Sequence, residues 1–269
     1  MDVSVIILNY NTFDLTCNCI RSILSKTVGC SYEIVVVDNR SSEKDAKEFL
    51  KLFPDIVLVE NSANVGFARG NNIGIEKASG AYILLLNSDT ELKNNAISLC
   101  FQSLRKNSQV AVMASRLEYA DGTLQHNCQR FPTLRYKLFE LLRMQKMMPQ
   151  KWAGKILLGY FFDHRSAVFP DWVWGTFFMF KRDLLKVLPG SKLADDFFMY
   201  VEDMKWCMDF KRSGYKIAFE PSAHVIHHMG KSGGDKMILM ETNKQIFLSQ
   251  YYSRFRLLLF NQLDKWLTK

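Results

Sequence analysis

The chain lacks an uninterrupted apolar stretch of about 18 residues, the length that reads as a membrane-crossing helix, so no transmembrane segment is expected. It also lacks a C-x-x-C pair. Its cysteines, Cys17, Cys19, Cys30, Cys100, Cys128 and Cys207, are scattered and several fall in expected helices or strands. They read as reduced, structural thiols in a reducing compartment. The first apolar run starts at Val3, which leaves no room ahead of it for a signal peptide, so a cytoplasmic location is expected. There is no internal repeat, no low-complexity tract, no P-loop and no G-x-G-x-x-G turn.

What is present is an ordinary globular composition: 269 residues, 48% hydrophobic and 23% charged. That length suits one large α/β domain, or a domain with a small subdomain. The formal net charge of +8 favours acidic partners: nucleotide phosphates, anionic lipid or nucleic acid.

The chain is organised around Tyr82-Ile83-Leu84-Leu85-Leu86-Asn87-Ser88-Asp89. The apolar half predicts a strand buried on both faces. The polar half cannot lie in a dry core without partners. Ligands bind at the carboxyl ends of strands in open α/β sheets. An amide and a carboxylate there suit a divalent cation, because hard cations prefer oxygen. The plainer alternative is that Asp89 caps the next helix.

Ahead of this strand the chain alternates. Strands are predicted over 3–8, 32–37 and 56–60, and helices over 15–24, 46–53 and 67–77. That rhythm implies βαβ units and a parallel sheet. Beyond residue 92 the expectation is a helix over 96–106, a strand over 110–114 and a hairpin at Asp121-Gly122. A basic, apolar helix is predicted over 134–148, an aromatic strand pair over 172–180 broken at Gly175, and a short helix over 183–188. A helix over 197–213 ended by Gly214, strands over 215–219 and 223–228, a flexible Gly-rich loop at 230–234 and one long helix over 242–267 complete the reading.

Three strand ends share one polar character: Asn9-Tyr10-Asn11, Asp38-Asn39-Arg40-Ser41 and Asn87-Ser88-Asp89. Asp38 there can accept hydrogen bonds from a base or a ribose, or can cap a turn with Ser41 or Ser42. Asn64-Val65-Gly66-Phe67-Ala68-Arg69-Gly70-Asn71-Asn72 leads into a helix. Its glycines permit close backbone approach and Arg69 offers charge to a phosphate. Glu202-Asp203 follows Phe197-Phe198-Met199-Tyr200. Helix dipoles favour carboxylates near a helix start, and an aromatic wall also raises a carboxyl pKa toward that of a general base. Gly175 would let an acceptor reach the backbone. His227-His228 ends a strand, and with Asp89 in the same fold it suits a metal or diphosphate contact.

Taken in order, Val3–Asn11, Val35–Ser41, Asn64–Asn72, Leu84–Thr90, Trp174–Asp183, Phe198–Asp203 and His227–Ser232 resemble the inverting nucleotide-sugar glycosyltransferases of family 2, which have the GT-A fold. The likeness is nearest to the rhamnosyltransferase-like branch of bacterial surface-polysaccharide synthesis. The resemblance implies that Asn9, Tyr10, Asn11 and Asp38 hold the nucleoside, with Asn64, Gly66, Arg69, Asn72, Asn87, Ser88 and Gly175 lining the nucleotide sugar. Asn87-Ser88-Asp89 stands where the family has its D-x-D motif. It implies Asp89 and His227 as ligands of Mg2+ or Mn2+, Asp203 as catalytic base and Glu202 as its support. Two residues depart from the pattern: Asn87 replaces an aspartate, lowering the charge offered to the metal, and Arg40 stands where many members have a small or polar residue, which leaves the choice of nucleobase open.

The implied reaction moves a sugar from a nucleoside-diphosphate sugar, dTDP-rhamnose or a UDP-sugar, to a hydroxyl of a saccharide acceptor on a lipid carrier. A nucleotidyltransferase would want a basic Gly-rich first loop, which Asn9-Tyr10-Asn11 does not supply. A nonenzymatic nucleotide or nucleic-acid binder is the other alternative. The charge suits it, but no nucleic-acid motif appears, so no nucleic-acid partner is expected. The expected division is a GT-A domain over 1–233, its nucleotide half ending about residue 115, followed by an amphipathic helix over 234–269. That helix interleaves Ile246, Phe247, Tyr251, Phe255, Leu258, Leu259, Leu263 and Leu267 with Lys244, Arg254, Arg256 and Lys265. It suits the inner face of a cytoplasmic membrane, or packing on the domain or on a second copy of the chain.

Overall fold

The computed structural model describes residues 1–229 and 235–267. The first apolar runs form β1 (Val3–Asn9), β2 (Tyr32–Asp38), β3 (Val57–Glu60) and β4 (Tyr82–Asn87). Between them lie α1 (Phe13–Lys26), a short α2 (Glu48–Leu52) and α3 (Phe67–Lys77). The strands are parallel in the order β3-β2-β1-β4. Alternate residues serve opposite faces, as the two-residue strand period requires. Ile6, Val35, Val37 and Leu85 enter one apolar cluster. Val5, Ile7, Val36 and Leu84 enter the other. Continuous apolar runs are what a sheet covered on both sides demands.

The remaining elements are β5 (Thr90–Leu92), α4 (Ala96–Arg105), β6 (Val110–Glu118), β7 (Leu124–Gln125), β8 (Cys128–Gln129), α5 (Leu134–Leu141), α6 (Gln150–Leu157), β9 (Trp172–Val173), β10 (Phe177–Lys181), α7 (Glu202–Arg212), β11 (Lys216–His227), α8 (Asp235–Tyr251) and α9 (Arg254–Leu267). β10 inserts antiparallel between β4 and β6. β11 runs parallel to β6, and β5 closes the edge antiparallel to β11. The sheet therefore reads β3-β2-β1-β4-β10-β6-β11-β5. β7 returns on β6 through the expected hairpin, whose Gly122 has φ +84°. The result is the mixed α/β architecture that the resemblance implies.

Several elements differ from expectation. The helix predicted over 46–53 shrinks to α2. The one predicted over 134–148 stops at α5, because Arg143 turns left-handed at φ +53° and a 3-10 turn comes after it. The short helix predicted over 183–188 is likewise a 3-10 turn, Arg182–Val187. The aromatic stretch 172–180 is no strand pair: β9 pairs with β8, while β10 joins the main sheet. The helix predicted from Phe197 begins only at Glu202, since Tyr200 and Val201 hold φ of +70° and +76°. The strands over 215–228 merge into β11, with register shifts marking the irregularity. The expected long C-terminal helix is two helices. Ser253 caps the second through its hydroxyl, which accepts from the Arg256 amide at 3.4 Å. α8 buries Phe247 and Leu248 in the cluster that holds Phe131 and Trp206. The loop at 230–234 lies outside the described residues. All six cysteines are free thiols.

Candidate active site

Strand register builds the rim. Asn9 pairs with Asp38, Leu8 with Asn87 and Asp38 with Glu60, so these polar strand ends stand side by side. Asn9 is buried. Its amide donates to Asp38 Oδ1 at 2.7 Å and to Ser41 Oγ at 3.0 Å. Its oxygen accepts from Thr12 and Thr16. Asn9 thus aims Asp38, and its own side chain has nothing left to offer a ligand, which corrects the expectation of direct contact. Asp38 Oδ2 accepts from the Ser41 amide at 3.0 Å. It therefore caps the turn and also lines a cavity of about 430 Å³ with Arg40, Lys44, Glu60, Asn61 and Ser62. Asn11, left-handed at φ +54°, ties the neighbouring loop by accepting from the Ser42 amide at 2.8 Å. Tyr10 is exposed at the same rim. Thr12 Oγ1 lies 2.9 Å from Ser88 Oγ, joining the cavity side to the end of β4.

The Gly-rich segment plays another part than expected. A Cβ on Gly66 would sit 2.4 Å from the Phe198 carbonyl, and one on Gly70 2.6 Å from Leu8 Cδ1. On the Cβ side, the close approach these glycines allow is by the protein's own chain. Phe67 N donates to Phe198 O at 2.7 Å, fastening the 197–201 turn to α3. Asn64 holds Asn39 and the Gly66 amide. Asn72 is engaged on both the amide and the carbonyl of Leu193, so it is a staple and not a ligand contact. Arg69 is exposed and 3.7 Å from Asp195.

That fastened turn delivers Glu202 and Asp203. Two consecutive left-handed non-glycine residues before them cost about 1–3 kcal/mol each. Asn243 of α8 holds the turn by donating to the carbonyls of Met199 and Tyr200. Asp203 accepts from the amides of Gly175 at 3.0 Å and Met204 at 2.7 Å. Phe67 and Trp206 stack at 6.1 Å beside it. Burial lifts the Asp203 carboxyl to about 6, against those two amides, which favour the charged form. Glu202 is buried with Oε2 unpartnered. Burial first, and the neighbouring Asp203 charge second, push its carboxyl well above the ordinary range. The amide of Gly175 faces Asp203, and the space where its side chain would be lies against Asp203, Phe67 and Trp206.

At the other end of the same short segment, the Thr176 carbonyl accepts from the Asn87 amide at 3.0 Å. One dipeptide, Gly175-Thr176, therefore ties the end of β4 to the Asp203 carboxylate. β5 pairs His227 with Thr90, and this brings His227 Nε2 to 3.4 Å from Asp89 Oδ1. Asn87 Nδ2 lies 3.5 Å from the same nitrogen, while Asn87 Oδ1 is buried without a partner. Among the described residues no cluster of three acidic, His or Cys side chains forms a complete metal cage. One carboxylate, one imidazole and a nearby unsatisfied amide oxygen nevertheless fit a cation whose other ligands are substrate oxygens and water, the usual way Mg2+ is held. Sequence reasoning missed Thr12, Lys44, Glu60, Asn61 and Gln125, none of which carries a motif.

Comparison with known proteins bears on the family and the fold. A family model described as glycosyl transferase family 2 matches residues 4–188. The low-salt glycan biosynthesis hexosyltransferase Agl10 of Haloferax volcanii is 24% identical over 84% of this chain and 67% of its own length. A crystal structure of GalNAc-T7 with UDP, GalNAc and Mn2+ superposes with a TM-score of 0.65 at 16% identity, over 97% of this chain and 54% of that one. The mannosyltransferase PcManGT of Pyrobaculum calidifontis, in complex with GDP-Man and Mn2+, gives 0.61 at 17% identity, over 98% and 69%. The chain thus spans about half of the first of these structures and about two thirds of the other two relatives. The fold is of the GT-A type, and with most of its length matched the chain belongs to glycosyl transferase family 2 and is a glycosyltransferase.

Proposed function

We propose that the chain transfers a sugar, with inversion, from a nucleoside-diphosphate sugar to a hydroxyl of a saccharide acceptor in surface-polysaccharide synthesis. The observation that carries this reading is the Gly175-Thr176 bridge, which sets a partly buried carboxylate beside the polar end of β4. Asp38, Arg40 and the cavity they line receive the nucleoside. Asp89 and His227 would hold Mg2+ or Mn2+, which supplies charge to the diphosphate leaving group. Asp203 takes the proton of the acceptor hydroxyl as that oxygen attacks the anomeric carbon from the side opposite the diphosphate. Glu202, buried next to Asp203 with its carboxyl pushed well above the ordinary range, supports it. The donor is a dTDP- or UDP-sugar, rhamnose being the sugar suggested by the branch of closest resemblance. Residues up to about 115 form the nucleotide half and 116–233 the acceptor half.

A thermal-shift screen with UDP-, GDP- and dTDP-sugars, with and without Mn2+, tests this. One donor raises Tm in a metal-dependent way, because saturation at 100 times Kd stabilises by about 2.7 kcal/mol. No shift with any donor, together with no release of nucleoside diphosphate, overturns the reading.

The acceptor side suits a lipid-linked substrate. Met147 and Trp152 are 84% and 70% exposed, and Phe255 and Leu258 are 70% and 64% exposed. Arg135, Arg143, Lys146, Lys151, Arg254 and Arg256 are exposed among them. α5 and α9 pack on each other. No described helix is long and apolar enough to cross a membrane. Apolar residues among basic ones suit a peripheral contact, with about 1 kcal/mol per basic residue near an anionic surface. Co-sedimentation with anionic liposomes at low salt is expected for the full chain. It falls sharply in a Trp152→Ser, Phe255→Ser, Leu258→Ser variant that keeps its Tm. Equal sedimentation of both returns this surface to a protein-packing role, as α8 already has through Phe247 and Leu248.

A further inference from the structure

We infer that Gln125 is a positioning residue that fixes the tautomer of His227, so that the Nε2 lone pair faces Asp89. The inference rests on the metal role proposed above for His227, but its geometric core stands apart from it. Gln125 ends β7 and is 1% exposed. The hairpin at Asp121-Gly122 folds it back on Leu117 of β6. Its amide nitrogen donates to the His227 backbone carbonyl at 2.7 Å. Its amide oxygen lies 2.8 Å from His227 Nδ1.

These two contacts orient each other. A carbonyl oxygen only accepts, so the group facing the His227 carbonyl must be the Gln125 NH2. Reversing the amide would set two acceptors against each other at 2.7 Å. The Gln125 oxygen is then what faces Nδ1, and Nδ1 must carry the proton. In neutral imidazole this leaves Nε2 with its lone pair. That nitrogen is the one 3.4 Å from Asp89 Oδ1, with the Asn87 amide nitrogen 3.5 Å away as a long-range donor. A nitrogen lone pair facing a carboxylate oxygen is a pair of acceptors that a cation would bring together. Metal-bound histidines gain orientation from such a partner on the other ring nitrogen. An alternative residue without an acceptor would release the ring to place its proton on Nε2, where it would donate to Asp89 and occupy the cation's place.

Long-range 1H–15N NMR of the metal-free full chain reads the tautomer directly. His227 is expected as the Nδ1–H form in the wild type. Gln125→Met removes both contacts and is expected to shift His227 toward the Nε2–H form. It also weakens binding of Mn2+ alone, followed by loss of the free-ion EPR signal, by about 10- to 100-fold. Gln125→Glu keeps an acceptor for Nδ1 and, as the protonated acid, a donor for the carbonyl. It is expected to retain the tautomer and most of the affinity. An Nε2–H form in the wild type, which needs no variant to observe, overturns the inference. So does unchanged tautomer and affinity in a folded Gln125→Met. If the wild type holds the Nδ1–H form yet binds no Mn2+ even with UDP or GDP present, the metal role fails and the positioning by Gln125 stands.

Discussion

Replacing Asp203 by asparagine is expected to lower kcat by about 10²- to 10⁴-fold, the usual contribution of a general base. Donor binding should persist, because Asp38 and the end of β4 are untouched. The amide of asparagine still accepts one of the two backbone bonds from Gly175 and Met204, so the variant folds. In the wild type the rate should rise with pH and level off above about 6, where the Asp203 carboxyl becomes charged. The same shift has a stability signature. Asp203 is raised from 3.8 to about 6 in the folded chain, so the fold holds its proton more tightly than the unfolded chain does. That contribution is full below 3.8 and is lost as pH rises through about 6. The Tm of Asp203→Asn relative to wild type should therefore improve between pH 4 and 7. A fully active Asp203→Asn together with an inactive Glu202→Gln would assign the base to Glu202.

Replacing Asp89 by alanine is expected to lower kcat by at least about 10²- to 10³-fold, the scale lost when a charge-stabilising contact to a transition state is removed. Asp89 is the one carboxylate of the Asn87-Ser88-Asp89 turn, and its partner across the turn is His227 at 3.4 Å. Asn87 contributes no charge, so no second acid in the turn compensates. The backbone carbonyl of Asp89 still accepts from His228 at 2.9 Å in the variant, and the fold is retained. The metal-dependent part of the donor-induced Tm shift disappears, while any metal-independent part survives. Full activity of the variant, or of the wild type in excess chelator, removes Asp89 from the metal site.

The two largest effects thus fall on residues that stand out in the sequence for different reasons. Asp89 is legible because an apolar run stops abruptly at a polar triplet, and such a run has only one sensible end for a ligand. Asp203 is legible because an acidic pair comes soon after four residues of aromatic and apolar character. Its turn is not legible, since nothing in Tyr200-Val201 announces two left-handed residues. The structure supplies the reason: Phe198 is fixed to Gly66 and Phe67, and Asn243 holds the carbonyls of Met199 and Tyr200. A helix starting at Phe197 would break those contacts.

The sequence by itself determined the parallel half-sheet: the runs of β1, β2 and β4 are continuous and apolar, as strands buried on two faces need, and Val57–Glu60 adds the more exposed edge strand. It also determined the chemistry of the strand ends, because polar triplets after such runs cannot be buried unpaired. Only the tertiary structure decided which of these groups are already held by the protein's own chain. Asn9, Gly66, Asn72 and Gly175 have the composition of ligand contacts, yet their partners are Asp38, Phe198, Leu193 and Asp203. The same holds for Gln125, whose role exists only because β7 folds back beside the end of β11. A hydrogen-bonding group is satisfied equally by a ligand and by a neighbouring strand, and local sequence does not say which strand will be there.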